Sequence, residues 1–255
     1  MEYQKLFDIS GKVALITGGG GTLGTAIAKG LAAVGAHVAI ADVNLETAEK
    51  TSSLIAEYGT QVVPIQVDVT DPVSVNAMVE RVLEKFGRID IFLNHAGINI
   101  RKPVVDYTPE EWDRVLDVNL KGVFLCAQAV GKVMLRQGRG RIINTASTLA
   151  SVSQPLQAAY ASSKGGIVQL TKVLAEEWAP YGINVNAIGP GYFETELTKK
   201  YLSDPAVRDL LLSKIPAKRF GVPDELVGTI IFLASEASSY VTGHTVYIDG
   251  GRLLY

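Results

Sequence analysis

The chain has 255 residues, 47% of them apolar and 20% charged, with a net charge of −2. That composition supports a full hydrophobic core and excludes a disordered chain, and without a strongly basic segment it argues against a nucleic-acid partner. Cys126 is the only cysteine, so no intramolecular disulfide is possible, and His37, His95 and His244 fall in no metal-ligating motif. No metal is therefore expected. No apolar run approaches the length of a membrane span, and the first twelve residues have no signal-peptide core. The expectation is a cytoplasmic protein that meets no membrane. Without an internal repeat, low-complexity tract or linker, residues 1–255 are read as one domain.

Residues 13–17 (VALIT) read as a buried strand. Four glycines, Gly18 to Gly21, follow, and Thr22, Leu23 and Gly24 open a helix. Residues 37–41 (HVAIA) are a second strand, closed by Asp42. This strand-turn-helix-strand context is what the Gly19-x-Gly21-x-x-Gly24 spacing requires to bind a dinucleotide. Glycines let the backbone approach a pyrophosphate, and the helix start offers unpaired N–H groups at a positive dipole end. Asp42 is placed to accept hydrogen bonds from the adenosine ribose hydroxyls and to repel a 2′-phosphate. With no Lys or Arg in the loop or directly after Asp42, the cofactor is read as NAD rather than NADP.

Residues 61–67 are the third strand, where Pro64 suits an edge. Asp71 and Pro72 start a helix to about Phe86. Residues 89–93 are the fourth strand, leading into Asn94-His95-Ala96-Gly97. Thr108 caps a helix whose continuation carries Asn119. Residues 141–145 are the fifth strand and deliver Ser147 to the same carboxyl edge. A helix from Ala158 follows, residues 183–188 are the sixth strand before Gly189-Pro190-Gly191, residues 195–212 are read as helical, Pro223 opens another helix, and residues 245–248 are the last strand. The alternation gives an α/β fold: a single-domain, Rossmann-type, doubly wound parallel sheet of about seven strands with helices on both faces.

Within that frame Ser147, Tyr160 and Lys164 stand at the spacing Ser-x12-Tyr-x3-Lys. Tyr160 and Lys164 are one helical turn apart. A tyrosine hydroxyl ordinarily titrates near 10, and an ammonium one turn away lowers that value, which suits the phenol to general acid–base work.

These motifs together resemble the short-chain dehydrogenase/reductase family over essentially the whole chain. The residues that carry the likeness are Thr17-Gly18 to Gly24, Asn94 to Gly97, Asn119, Ser147, Tyr160-x3-Lys164 and Pro190-Gly191. The resemblance implies reversible hydride transfer between an alcohol and a carbonyl. It implies Tyr160 as general acid/base, Ser147 as holder of the substrate oxygen, Lys164 as partner of Tyr160 and of the nicotinamide ribose, and Asn119 as holder of a relay water. The expected cofactor contacts are Gly18, Gly20, Gly21, Thr22, Leu23 and Gly24 in the loop. Further contacts are expected from Asp42, Val43, Asp68 and Val69 at strand ends, from Asn94, Ala96 and Gly97, from Tyr160 and Lys164, and from Pro190, Gly191 and Thr195. Two positions depart from the family pattern: its middle glycine falls on Thr22, and its Asn-Asn-Ala-Gly reads Asn94-His95-Ala96-Gly97, with His95 expected to be structural.

Within the family, the runs INIRKP, EEWDRVLDVNLKGVF, NAIGPGYFETELT and ASSYVTGHTVYIDGG resemble gluconate 5-dehydrogenases and 2-dehydro-3-deoxygluconate dehydrogenases. That implies a sugar acid or polyol as the small-molecule substrate. Because the gluconate enzymes often prefer NADP, Asp42 fits the deoxygluconate branch or another NAD-using relative better. A carboxylate is well matched by a guanidinium, so Arg101 is the candidate anchor, ahead of Lys102. Gln154, Gln157 and Tyr192 are further candidate substrate contacts beside Ser147 and Tyr160, with a substrate loop at about 190–215. The competing expectations are a 3-oxoacyl thioester reductase or another secondary-alcohol dehydrogenase of the same fold, and a non-catalytic NAD-binding regulator. The resemblance also implies a homotetramer.

Overall fold

In the computed structural model, which describes residues 3–195, 198 and 203–254, Val13–Thr17 form β1, buried along its whole length. Its side chains alternate between two apolar layers: Val13 and Leu15 face one, Ala14 and Ile16 the other. A strand buried on both faces reads as a continuous apolar run, the mark of a parallel sheet covered on both sides.

The remaining strands are β2 His37–Asp42, β3 Val62–Gln66, β4 Ile91–Asn94, β5 Gly140–Thr145, β6 Ile183–Pro190 and β7 Thr245–Ile248. They make one parallel sheet in the order β3-β2-β1-β4-β5-β6-β7. Pro64 sits in β3 at the sheet's edge, where its missing N–H leaves no central ladder bond unmade.

The described helices are α1 Thr22–Ala33, α2 Leu45–Ile55, α3 Pro72–Phe86, α4 Pro109–Leu116, α5 Gly122–Gln137, α6 Ala158–Trp178, α7 Pro205–Ser213 and α8 Val227–Ala234. One core layer packs α3, α5 and α6 against the sheet through Met78, Val130 and Leu174. The other packs α1, α2 and α8 through Ile27, Leu31, Ile55 and Ile230. Local chemistry sets several helix starts. Asp71 accepts from the amides of Val73 and Ser74, and Thr108 with Glu111 forms a reciprocal capping box.

Four details differ from the sequence reading. An unanticipated helix, α2, is capped by Asn44, which accepts from the Glu46 amide. Between α4 and α5, residues Asp117–Lys121 form a π-helical turn. Strand β6 runs on through Gly189 and Pro190, because β7 continues to pair with it. The expected 195–212 helix falls partly on 196, 197 and 199–202, outside the described residues; its remainder is α7, capped by Asp204. By length and mean hydropathy of 1.3 the continuous helical stretch Pro109–Gln137 is able to cross a membrane, but 56% of its most apolar window is buried inside the protein.

Candidate active site

The strand order reverses between β1 and β4, and parallel sheets open a crevice at their carboxyl edge at such a point. Here a cavity of about 1210 Å³ opens, larger than a typical single-ligand pocket of roughly 300–1,000 Å³. The glycine turn forms one end. Gly18 holds φ +68°, and a Cβ there would sit 2.9 Å from the Ala96 Cα. A Cβ on Gly24 would come within 2.3 Å of the Gly18 carbonyl oxygen. The turn is thus packed backbone on backbone, and Gly21, capping α1 without a side chain, leaves the helix's positive end open. Such a cradle fits a pyrophosphate. Asp42, also on the cavity wall, is fixed by two amides: Oδ2 accepts from Gly20 at 3.0 Å and Oδ1 from Asn44 at 3.1 Å. Its carboxylate therefore stands oriented beside the glycine turn.

Ser147, Tyr160 and Lys164 line the same cavity. Ser147 follows β5 and accepts from the Leu149 amide at 3.2 Å. Tyr160 and Lys164 project from α6, with the Lys164 Nζ 5.5 Å from the centre of the Tyr160 ring. Lys164 is buried, and its ammonium donates to the Thr145 carbonyl at 2.7 Å. Burial lowers its pKa from the ordinary lysine value to about 8.

Asn119, fully buried in the π-helical turn, is set back behind the cavity wall. Its side chain clasps Ile98, accepting from the amide at 2.8 Å and donating to the carbonyl at 2.9 Å, and donates to Ser163 at 3.2 Å. It thus ties the loop after β4 to α6. A Cβ on Gly97 would lie 3.3 Å from Asn119 Oδ1 and 3.6 Å from Lys164 Nζ, so this glycine lies close to both groups. His95 also lines the cavity, its Nδ1 3.0 Å from the Thr145 hydroxyl. Burial first and the Lys164 charge second push its pKa down to about 4, so the imidazole is neutral at physiological pH.

Residues 20–252 match a family model described as enoyl-(acyl carrier protein) reductase, within the short-chain dehydrogenases. The gluconate 5-dehydrogenase of Gluconobacter oxydans (strain 621H) is 38% identical over 251 residues, covering 98% of each chain. A 3-oxoacyl-[acyl-carrier-protein] reductase of Thermotoga maritima is 41% identical over 246 residues, 96% of this chain and 99% of that one. The crystal structure of a gluconate 5-dehydrogenase from Burkholderia cenocepacia J2315, in complex with NADP and tartrate, superposes with a TM-score of 0.96 at 40% identity and covers all of both chains.

The chain belongs to the short-chain dehydrogenase/reductase family. It is an oxidoreductase acting on CH–OH with a nicotinamide cofactor.

Most of the residues anticipated for a short-chain dehydrogenase meet at this cavity. Gly18, Gly21, Thr22, Leu23, Val43, Asp68 and Val69 line it, as do Ala96, Gly97, Pro190, Gly191 and Thr195. Gly20, Gly24 and Asn94 do not: the two glycines shape the turn from behind, and Asn94, buried, donates to the Val123 carbonyl at 2.8 Å, locking β4 to α5. Arg101, Gln154, Gln157 and Tyr192 all reach the cavity. Lys102 is instead ion-paired with Glu111 at 2.7 Å and stands outside it. The Tyr192 hydroxyl donates to Gln154 Oε1, joining the loop after β6 to the loop after β5. Sequence reasoning passed over Asn99, Arg114 and Thr145. Glu110, Asp113, Arg114 and Asp117 recur at helical three- and four-residue steps along the cavity-facing side of α4 and the turn after it, a stripe whose direction only the fold reveals.

Proposed function

We propose that this dehydrogenase transfers hydride between NAD(H) and the hydroxyl or carbonyl of a sugar acid or polyol of the gluconate or deoxyketogluconate type. The observation that carries the reading is one cavity with Ser147, Tyr160 and Lys164 at one part of its wall and Asp42 at another. Bound NAD would supply the hydride acceptor. In oxidation, Ser147 and Tyr160 hold the substrate hydroxyl, and Tyr160 takes its proton. Lys164, held by Thr145, keeps positive charge beside the phenol and favours its ionised form. Asn119, close to Gly97 as Lys164 is, is the candidate holder of a relay water. Arg101 is the candidate carboxylate anchor, and Tyr192, bonded to Gln154 on the cavity wall, supports a substrate-loop region at about 190–215.

NAD rather than NADP rests on Asp42. A 2′-phosphate would bring two more negative charges against a carboxylate already turned toward the cavity. A homotetramer is supported by the half-exposed edge strand β7 and by exposed apolar side chains such as Val105, Phe124 and Val173 on α5, α6 and the segment before α4. The single cysteine, which allows no intramolecular disulfide, supports a cytoplasmic location.

The Thermotoga relative favours a second reading, a 3-oxoacyl thioester reductase. Steady-state rates with NAD and NADP decide the matter, using gluconate, 2-keto-3-deoxygluconate, neutral polyols and, in the reverse direction, acetoacetyl thioester. Turnover of a sugar acid with NAD is expected. Reduction of the thioester alone, or a preference for NADP, would overturn the substrate and the cofactor assignment respectively.

A further inference from the structure

Asp42 is tied to the chain by two bonds of different reach. Its Oδ1 accepts at 3.1 Å from the Asn44 amide, two residues on, a local turn that travels with the carboxylate. Its Oδ2 accepts at 3.0 Å from the amide of Gly20, 22 residues away in the turn between β1 and α1. The second bond therefore sets the distance between the turn that suits a pyrophosphate and the carboxylate at the end of β2. Gly20 comes this close because it has no side chain. A Cβ there would lie 2.3 Å from Thr47 Oγ1, 2.7 Å from Thr47 Cβ and 3.0 Å from Asp42 Oδ2. The first two separations are far inside van der Waals contact. The Thr47 Cβ is bonded directly to the backbone of α2, so turning that side chain does not clear it. Thr47 also donates to the Asn44 carbonyl at 2.8 Å, and Asn44 caps α2 by accepting from the Glu46 amide at 3.0 Å. A side chain at position 20 thus pushes on Thr47, Asn44 and Asp42 together.

The diphosphate and the adenosine ribose of a dinucleotide are joined by a covalent link of fixed length. A carboxylate meets the ribose hydroxyls only when it stands at the matching distance from the phosphate cradle. Gly20 itself does not line the cavity, whereas Asp42 does, so its effect on a bound ribose passes through Asp42. We propose that Gly20 is a positioning residue for cofactor choice: its amide holds Asp42, and its bare α-carbon leaves the room that sets this carboxylate in register with the ribose hydroxyls of NAD. The inference rests on the NAD reading above and adds the residue that gives the carboxylate its place. NADPH, whose 2′-phosphate the carboxylate repels, gains nothing from that register.

The test is a set of fluorescence titrations giving the dissociation constants of NADH and NADPH for the wild type, Gly20→Ala, Asp42→Ala and the double variant. No substrate is needed. Gly20→Ala should weaken NADH about tenfold more than NADPH, the size expected for a lost hydrogen bond to a charged group. In the Asp42→Ala background the same substitution should weaken the two cofactors alike, to within about twofold, because the group it acts through is gone. A turn that is merely structural would lose both cofactors equally whether or not Asp42 is present. Equal losses in the Asp42 background, no loss on either cofactor, or the same NADH-selective loss without Asp42 each overturn the positioning role. If Gly20→Ala does not fold, Thr47→Ala with and without Gly20→Ala decides in the same way, since it removes the hydroxyl that a Cβ at position 20 would strike first. A wild type that binds NADPH more tightly than NADH removes the NAD reading and this inference with it. A wild type that prefers NADH but shows no split in Gly20→Ala removes this inference alone.

Discussion

Tyr160, Lys164, Asp42 and His95 each carry a separable physical task. Removing the Tyr160 hydroxyl takes away the proposed proton-transfer group and leaves the glycine turn untouched, so Tyr160→Phe is expected to lower kcat by about 10²–10⁴-fold while NADH titration by fluorescence stays near wild type. Lys164→Ala should lose both turnover and NADH affinity, and unchanged affinity there would contradict the ribose role. Asp42→Ala removes the carboxylate held by the Gly20 and Asn44 amides. The ratio of kcat/KM with NADP to that with NAD should then rise at least about tenfold, roughly one unit of charge repulsion expressed in the cofactor site; an unchanged ratio would remove Asp42 as the determinant. His95 acts on stability. Its folded pKa of about 4 lies below the ordinary 6.5, so between those values the unfolded chain binds a proton that the folded one refuses. The contribution of neutral His95 is complete above pH 6.5 and is lost as pH falls toward 4, amounting to about 3 kcal/mol for a shift of that size. His95→Asn, which keeps a polar partner for Thr145, should flatten the decline of the unfolding midpoint between pH 6.5 and 4. An equally steep decline would place the acid sensitivity elsewhere.

Elements hold those residues in place, and the glycine turn with α1 is the most exacting. A Cβ at Gly24 meets the carbonyl oxygen and Cα of the same turn at 2.3 and 2.8 Å, backbone atoms that cannot rotate away. Gly24→Ala is therefore expected to weaken NADH binding at least about tenfold and to lower the unfolding midpoint; binding at wild-type strength would show that the turn has room to shift. This turn was legible in the sequence because three signals coincide there: an apolar strand, the glycine spacing and a helix start. The caps at Asp71 and Thr108 were legible for a similar reason, since a side chain within three residues of its amide needs no tertiary contact to be recognised. Helix α2 was missed: its segment LETAEKTSSLI is rich in small polar residues, and much of what it buries is Ala48, Thr51 and Ser52. The π-helical turn was missed because one extra residue in a helix changes register without changing composition. Its consequence is large, since it is the turn that directs Asn119 against Ile98 and Ser163.

At the scale of the whole molecule, the order β3-β2-β1-β4-β5-β6-β7 gives the chain one crevice and two edges. The β3 edge carries Pro64 and ends in partly exposed residues, both of which discourage further pairing. The β7 edge has no such protection: all four of its residues are half-buried, and the Tyr247 hydroxyl lies 2.5 Å from the Ser151 hydroxyl. Elsewhere, Phe124 on α5 and Val173 on α6 are 42% and 50% exposed although both helices belong to the core. Two different uncovered faces on one subunit suit a tetramer with two kinds of two-fold interface, each burying the same patch from both partners. Light scattering should therefore report four times the chain mass of 27.3 kDa. The double substitution Phe124→Asp and Val173→Asp places charge on one face only, outside the buried core, so the expected product is a folded dimer that keeps the β7 contact. A wild-type mass of 27.3 kDa would end the proposal, and a double variant that stays tetrameric would move the interface away from α5 and α6. Because the glycine turn, Asp42, Tyr160 and Lys164 that line the cavity all come from one chain, the dimer should retain NADH binding, which separates loss of assembly from loss of fold.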